Sequence, residues 1–265
     1  MPCEPMKPRS TKFARRSLQV IGVWGGLAAG VAAVLNIHAA PDKRAIVAMG
    51  VGLIVIWCVL GGVTMRLLRD RFVRWARRLR IGWRLRFVLL CIAMALLEEA
   101  VTTSLTNAAP LLGAVSDAAR ITKSKNYFEV ISGSVVAFIP WFICWAWMLG
   151  RYDFKPLEIM LIAGVTGTLA ETITFGPQNL AGIGMWTFVY GLMVYLPAHT
   201  VPLGREVRRA RWWHWIVAVL LPLIFIVPFV IYVIVAAVRK IVSSFSGGGS
   251  AEVTDTEPIE QRRHT

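Results

Sequence analysis

Apolar residues in this chain fall in seven long runs, about 18–37, 45–65, 87–106, 130–149, 157–175, 184–202 and 214–238, separated by shorter polar segments. Each run is close to the ~20 residues that cross a hydrocarbon core of about 30 Å at about 1.5 Å per residue. Inside lipid a backbone must satisfy its own hydrogen bonds, so runs of this length read as helices. The pattern therefore predicts an all-α fold: a polytopic transmembrane helical bundle of about seven spans.

The segment 66–86 (RLLRDRFVRWARRLRIGWRLR) follows another rule. Leu68, Phe72, Trp75, Leu79 and Trp83 recur at helical spacing, and arginines cover the remaining surface. This predicts a basic amphipathic interfacial helix lying on the anionic headgroups of membrane lipid. Its aromatics sit on the apolar stripe and form no stacking platform, so no nucleic-acid partner is expected. Residues 1–17 read as a basic cytoplasmic N-terminus and 18–240 as the transmembrane domain. Residues 241–265, Gly/Ser-rich and then polar, read as a disordered tail. The first apolar run is longer than a signal-peptide core, which makes it an uncleaved anchor.

Composition agrees with the pattern: 56% of the 265 residues are apolar and 17% charged, with mean hydropathy +0.60. The net charge of +14 is concentrated between the runs, as orientation by positive loops requires. With the N-terminus inside, the inner segments hold 5 (N-terminus), 9 (66–86), 2 (150–156) and 4 (203–213) of the 29 Lys and Arg residues, leaving 9 outside. That asymmetry predicts a cell-membrane (plasma or inner) protein with a cytoplasmic N-terminus. Arg239 and Lys240, directly after the last run, count against its seventh crossing. Trp83, Trp145, Trp147, Trp212, Trp213 and Trp215 lie near the inner ends of the spans, where an interfacial belt belongs. Cys3, Cys58, Cys91 and Cys144 are widely spaced, three of them inside apolar runs, which suits neither zinc ligation nor a disulfide framework. No cofactor and no metal is expected.

The chemistry is concentrated in the third run, FVLLCIAMALLEEAVTTSL, which carries Glu98 and Glu99. A carboxylate deep in such a span costs at least about 2.5 kcal/mol on insertion scales. Residues of this kind face a protein interior and mark functional sites. Helical spacing sets Glu99, Thr103, Thr106 and approximately Asn107 on one stripe, with Glu98 and Thr102 on the next. In the fifth run Gly164, Gly167, Thr168, Glu171 and Thr174 share a face suited to close helix approach. Measured from the inner end of each span, Glu98 and Glu99 lie about 16–18 Å up, Glu171 about 21 Å and Tyr190 about 18 Å. These four are expected to share one layer. His199 lies only about 5 Å up. Adjacent carboxylates in low dielectric resist holding two charges and exchange protons as a unit.

A Glu-Glu pair in one span with a histidine in a later one resembles the CAAX-processing and bacteriocin-immunity group of intramembrane glutamic proteases. The resemblance implies that Glu98 or Glu99 activates water with help from His199. The chain departs from that pattern at Thr103, where the family has a basic residue, and at Leu203, where it has a polar one. The fourth and fifth runs also lack the family's second histidine. Three functions follow from these residues. Proton- or cation-coupled transport or permeation would use Glu98, Glu99 and Glu171, with Thr103, Thr106, Asn107, Thr168 and Tyr190 as binding groups. A glutamic protease would add His199. A structural or assembly protein would use the carboxyls to knit helices together.

Overall fold

The computed structural model describes residues 9–224 together with 238 and 239. Among them, eight α-helices carry most of the residues: α1 (Arg9–Leu35), α2 (Pro41–Leu53), α3 (Gly62–Arg78), α4 (Trp83–Asn107), α5 (Tyr127–Leu149), α6 (Pro156–Phe175), α7 (Ile183–His199) and α8 (Trp212–Ile224). The strands are two-residue pieces, β1 (Tyr152–Asp153) and β2 (Arg208–Arg209), paired in parallel. Val238 and Arg239, which belong to a separate unit, are helical. The fold is all-α, with six helices long and apolar enough to cross a membrane.

Each of the first six apolar runs falls essentially within one of those six helices, the first and sixth running two or three residues past their ends. The seventh is represented by the 13-residue apolar helix α8 as far as Ile224. The remainder of that run lies outside the described residues, as do the tail 241–265, Cys3 and the first part of the N-terminal segment.

Segment 66–86 does not form a separate helix. Residues 54–61 are a π-helix, and Gly61 and Gly62 keep right-handed helical dihedrals. Span two therefore continues without a break from Pro41 to Arg78. Leu79 is extended, and Trp83 opens α4. The continuous helix is about 57 Å long at 1.5 Å per residue, nearly twice the core of a bilayer. Its arginine-rich end is the part beyond the apolar stretch.

Helix starts follow local chemistry. Pro41 and Pro156 occupy first-turn positions, where a missing N–H costs nothing. The Asn126 side chain accepts from the Phe128 N–H at 2.9 Å to cap α5. Glu158 returns to the Lys155 N–H at 3.1 Å to cap α6.

Small residues then set the packing. An added Cβ at Gly25 would stand 3.0 Å from the Gly184 backbone, so α1 and α7 cross in backbone contact. A Cβ at Gly164 would meet Thr187, and one at Gly167 would meet the ring of Tyr190. The α6–α7 seam is accordingly tight, as expected where lipid gives no hydrophobic drive to associate. Trp57 ties the π-helix to α7 by donating its indole N–H to the Val189 carbonyl at 3.2 Å.

Candidate functional site

One face of α4 is buried along its whole length, and its character changes halfway. The first half buries Phe87, Leu90, Cys91, Met94 and Ala95, and the second buries Glu98, Glu99, Thr102, Thr103 and Thr106. The two stripes expected from spacing are one buried face, because α4 is covered on one side by α5 and on the other by α7. Glu98 is 5% exposed and Glu99 7%. The Thr102 hydroxyl lies within hydrogen-bonding distance of the Glu99 carbonyl (3.1 Å) and a Glu99 carboxylate oxygen (3.3 Å). Glu99 also has the Ser134 hydroxyl of α5 as a neighbour.

Glu171 reaches the same region from α6. Tyr190 of α7 donates its phenol to a Glu171 carboxylate oxygen. Glu98 is within electrostatic reach of both Glu99 and Glu171, and Glu171 of Glu99. The phenol reaches its partner because Gly167 has no side chain: a Cβ there would lie 2.6 Å from the Tyr190 Cβ and closer still to its ring. The ring is held on its other sides by Phe138, Trp141 and Trp186, with centroids at 5.8, 6.0 and 6.0 Å. Deeper in the seam Thr168 donates to the Gly164 carbonyl at 3.0 Å and meets the Thr187 hydroxyl at 3.4 Å.

The remaining sequence candidates divide. Thr103 is buried, its hydroxyl without a partner. Thr106 faces the 107–129 loop, taking the Thr122 hydroxyl at 2.9 Å. Asn107 is exposed and donates to the Lys125 carbonyl at 3.1 Å; it borders the loop and not the carboxylates. His199 is placed elsewhere. Its ring packs edge-on against Tyr195 at 5.0 Å, and the charges that reach it are Arg69 and Asp70. It stands nine residues beyond Tyr190 on α7, about 13 Å along the axis.

Sequence spacing did not single out Lys123. Its charge acts on Glu99, and its ammonium lies over Gly133, in the N-terminal part of α5. The loop that carries it is held by contacts to α2 and α4 and by a pair within it. The Asp42 carboxylate accepts from the Val115 N–H (2.8 Å), the Ser116 N–H (3.1 Å) and the Ser116 hydroxyl (2.6 Å). Tyr127 donates to the Leu96 carbonyl at 2.9 Å. Lys125 pairs with Asp117 at 2.6 Å and holds that carboxyl below its ordinary range. Nothing in the spacing of Arg120, Lys123 and Lys125 distinguishes the one whose charge reaches Glu99. Among the described residues no three His, Cys, Asp or Glu side chains come together as a metal would require.

The arrangement defines a class, a helical protein with six membrane-length apolar helices and three acidic side chains gathered between α4, α6 and α7. Comparison with family models, curated proteins and solved structures finds no match for the chain.

Proposed function

We propose that this is a multi-pass protein of the cell membrane, with its N-terminus in the cytoplasm, whose Glu98–Glu99–Glu171 layer takes up and passes protons in proton- or cation-coupled transport. The observation that carries this reading is the convergence of the three carboxyls, one of them held by the Tyr190 phenol. Burying such groups in a span is costly, and proton relays in membranes are built of them. Carboxyl, phenol and threonine hydroxyl each exchange donor and acceptor roles, so a proton passes among them with small side-chain rotations. Lys123 supplies a fixed positive charge at the outer end of the layer, within electrostatic reach of Glu99.

Hydrolysis of the glutamic-protease kind would require a base and a partner within direct or one-water reach of the same water. The partners of His199 (Arg69, Asp70 and Tyr195) and those of the carboxylates do not overlap. This favours proton handling. The arginine-rich end of α3 is read as meeting anionic headgroups, in keeping with the excess of Lys and Arg on the inner side.

The test is flux in proteoliposomes under a pH gradient, reported by an internal pH-sensitive dye. Glu98→Gln and Glu171→Gln are each expected to remove most of the flux, whereas His199→Ala retains it. Full flux in the Glu98→Gln/Glu171→Gln double variant would overturn the proposal and leave the carboxyls a structural role. Proteolysis lost in both Glu98→Gln and His199→Ala would replace it with the hydrolase reading.

A further inference from the structure

A cleft of about 810 Å³ opens between α1, the α2–α3 helix, α6 and α7, and Glu98, Glu99 and Glu171 are not among its lining residues. Its walls come from single helix faces. Thr11, Arg15, Leu18, Gln19, Gly22 and Val23 line it from α1, and Phe188, Leu192, Tyr195 and His199 from α7. The spacing of three, four and seven residues is that of one stripe. The third wall runs from Cys58 and Val59 through Gly62 and Val63 to Arg66 and Arg69. Helices α1 and α7 touch at Gly25 and Gly184 and again where Gly22 meets Phe188; the cleft occupies the space beyond that crossing.

Polarity is sorted along its length. Arg15, Arg66, Arg69 and His199 stand at one end. The apolar side chains begin with Leu18, Leu192 and Val63 and continue to Val23, Phe188 and Val59, about 10–17 Å from the charged end at 1.5 Å per residue. Asp70 pairs with Arg69 at 3.0 Å. Among the described residues no carboxylate is paired with Arg15 or Arg66. The Nε2 of His199 is buried without a partner. The cleft thus has cations at the mouth, a donor or acceptor beside them and a mostly apolar body.

We propose that this cleft is a binding site for one anionic phospholipid, its phosphate between Arg15 and Arg66 with His199 alongside, and an acyl chain against Leu18, Val63, Leu192 and Phe188. The assignment goes beyond the carboxylate function and shares with it only membrane residence. Charge complementarity selects an anionic over a zwitterionic headgroup. The apolar body selects a lipid over free phosphate, which would leave that surface unfilled. Arginine is the suitable cation, because its planar fork matches phosphate oxygens.

Native mass spectrometry of the full chain, released from micelles doped with phosphatidylglycerol, phosphatidylcholine or inorganic phosphate, tests this. One phosphatidylglycerol per chain is expected to survive release, with phosphatidylcholine retained several-fold less. Each arginine at the mouth is expected to contribute about five-fold, corresponding to about 1 kcal/mol per cation near an anionic headgroup. Arg15→Gln/Arg66→Gln should therefore lower retention by about 25-fold. Gly62→Leu directs a side chain into the body, where an added Cβ meets nothing closer than 3.6 Å, and should abolish retention while thermal unfolding in detergent is preserved. Arg71→Gln/Arg74→Gln, on the same basic segment but off the cleft, should leave retention unchanged. Equal loss in that control, equal retention of phosphatidylcholine, retention of phosphate alone, or a lipid-free dimer in place of the complex would each overturn the proposal. Flux through Glu98 and Glu171 is read separately, so failure of either reading is visible without the other.

Discussion

Gly167→Ala isolates the contact that holds the carboxylate layer together. The added methyl would stand 2.6 Å from the Tyr190 Cβ and nearer still to the ring. The ring cannot retreat freely, because Phe138, Trp141 and Trp186 enclose it. Overpacking of this kind costs about 1–3 kcal/mol. Displacing the phenol from Glu171 adds about 0.6 kcal/mol, the mean for hydrogen bonds between membrane helices, and at most about 1.7 kcal/mol. Alanine returns about 0.5–1 kcal/mol through its better helix propensity. The net expectation is destabilisation by about 1–4 kcal/mol on these magnitudes. In a Tyr190→Gly background the ring, the Cβ and the hydrogen bond are all gone. Only the propensity remains, so the same substitution should stabilise by up to about 1 kcal/mol. Unfolding in mixed micelles, followed by the intrinsic fluorescence of the protein's tryptophans, measures all four corners of the cycle. Gly164→Ala is the comparison: its obstacle includes the Thr187 carbonyl, which is backbone, so side-chain truncation should not rescue it. A Gly167→Ala cost that is unchanged when Tyr190 is removed would refute the seating of the ring on α6.

Trp57→Phe keeps the packing but deletes the donor to the Val189 carbonyl, and should cost about 0.6–1.7 kcal/mol in the same unfolding assay; no loss would mean that this tie is not made. Asp42→Ala removes the acceptor for two loop amides and a hydroxyl, so hydrogen exchange at Val115 and Ser116 should accelerate while α4 is unaffected. Unchanged protection at both amides would contradict the anchoring. Lys125 holds the Asp117 carboxyl below its ordinary value, so the stabilisation is complete above that ordinary value and fades as pH falls through the lowered one. Lys125→Gln should remove this acid-side loosening of the loop, measured by exchange at acidic pH, and a loosening that persists would place its origin elsewhere.

Helices and their order were readable because spans depend on local composition: about 20 apolar residues specify a crossing whatever they pack against. The end of span two was harder to read. Arginines from Arg66 onward mark where lipid should end, but a helix carries on through polar sequence as long as nothing stops it. The π-helix and two glycines in helical conformation did not stop this one. Glu98, Glu99, Glu171 and Tyr190 were legible by rise per residue alone, since depth along straight helices is additive. The same arithmetic set His199 apart. Lys123 was not legible. A loop residue's position depends on where its anchors lie, and the Asp42 anchor is more than seventy residues away in the chain. Asn107 erred through phase: it follows Thr106 directly, and a single residue rotates the side chain by about 100°, from the buried face to the exposed one.

Whether three carboxyls from two helices act as one proton-binding unit is decided most directly by infrared titration of their C=O stretch in the reconstituted protein. If Glu98, Glu99 and Glu171 form a unit, Glu171→Gln removes one band and also displaces the titration of the two that remain, by about one pH unit or more, as interacting sites require. If Glu98 and Glu99 titrate at the same pH with and without Glu171, the layer is three separate residues and the proposed proton path does not exist.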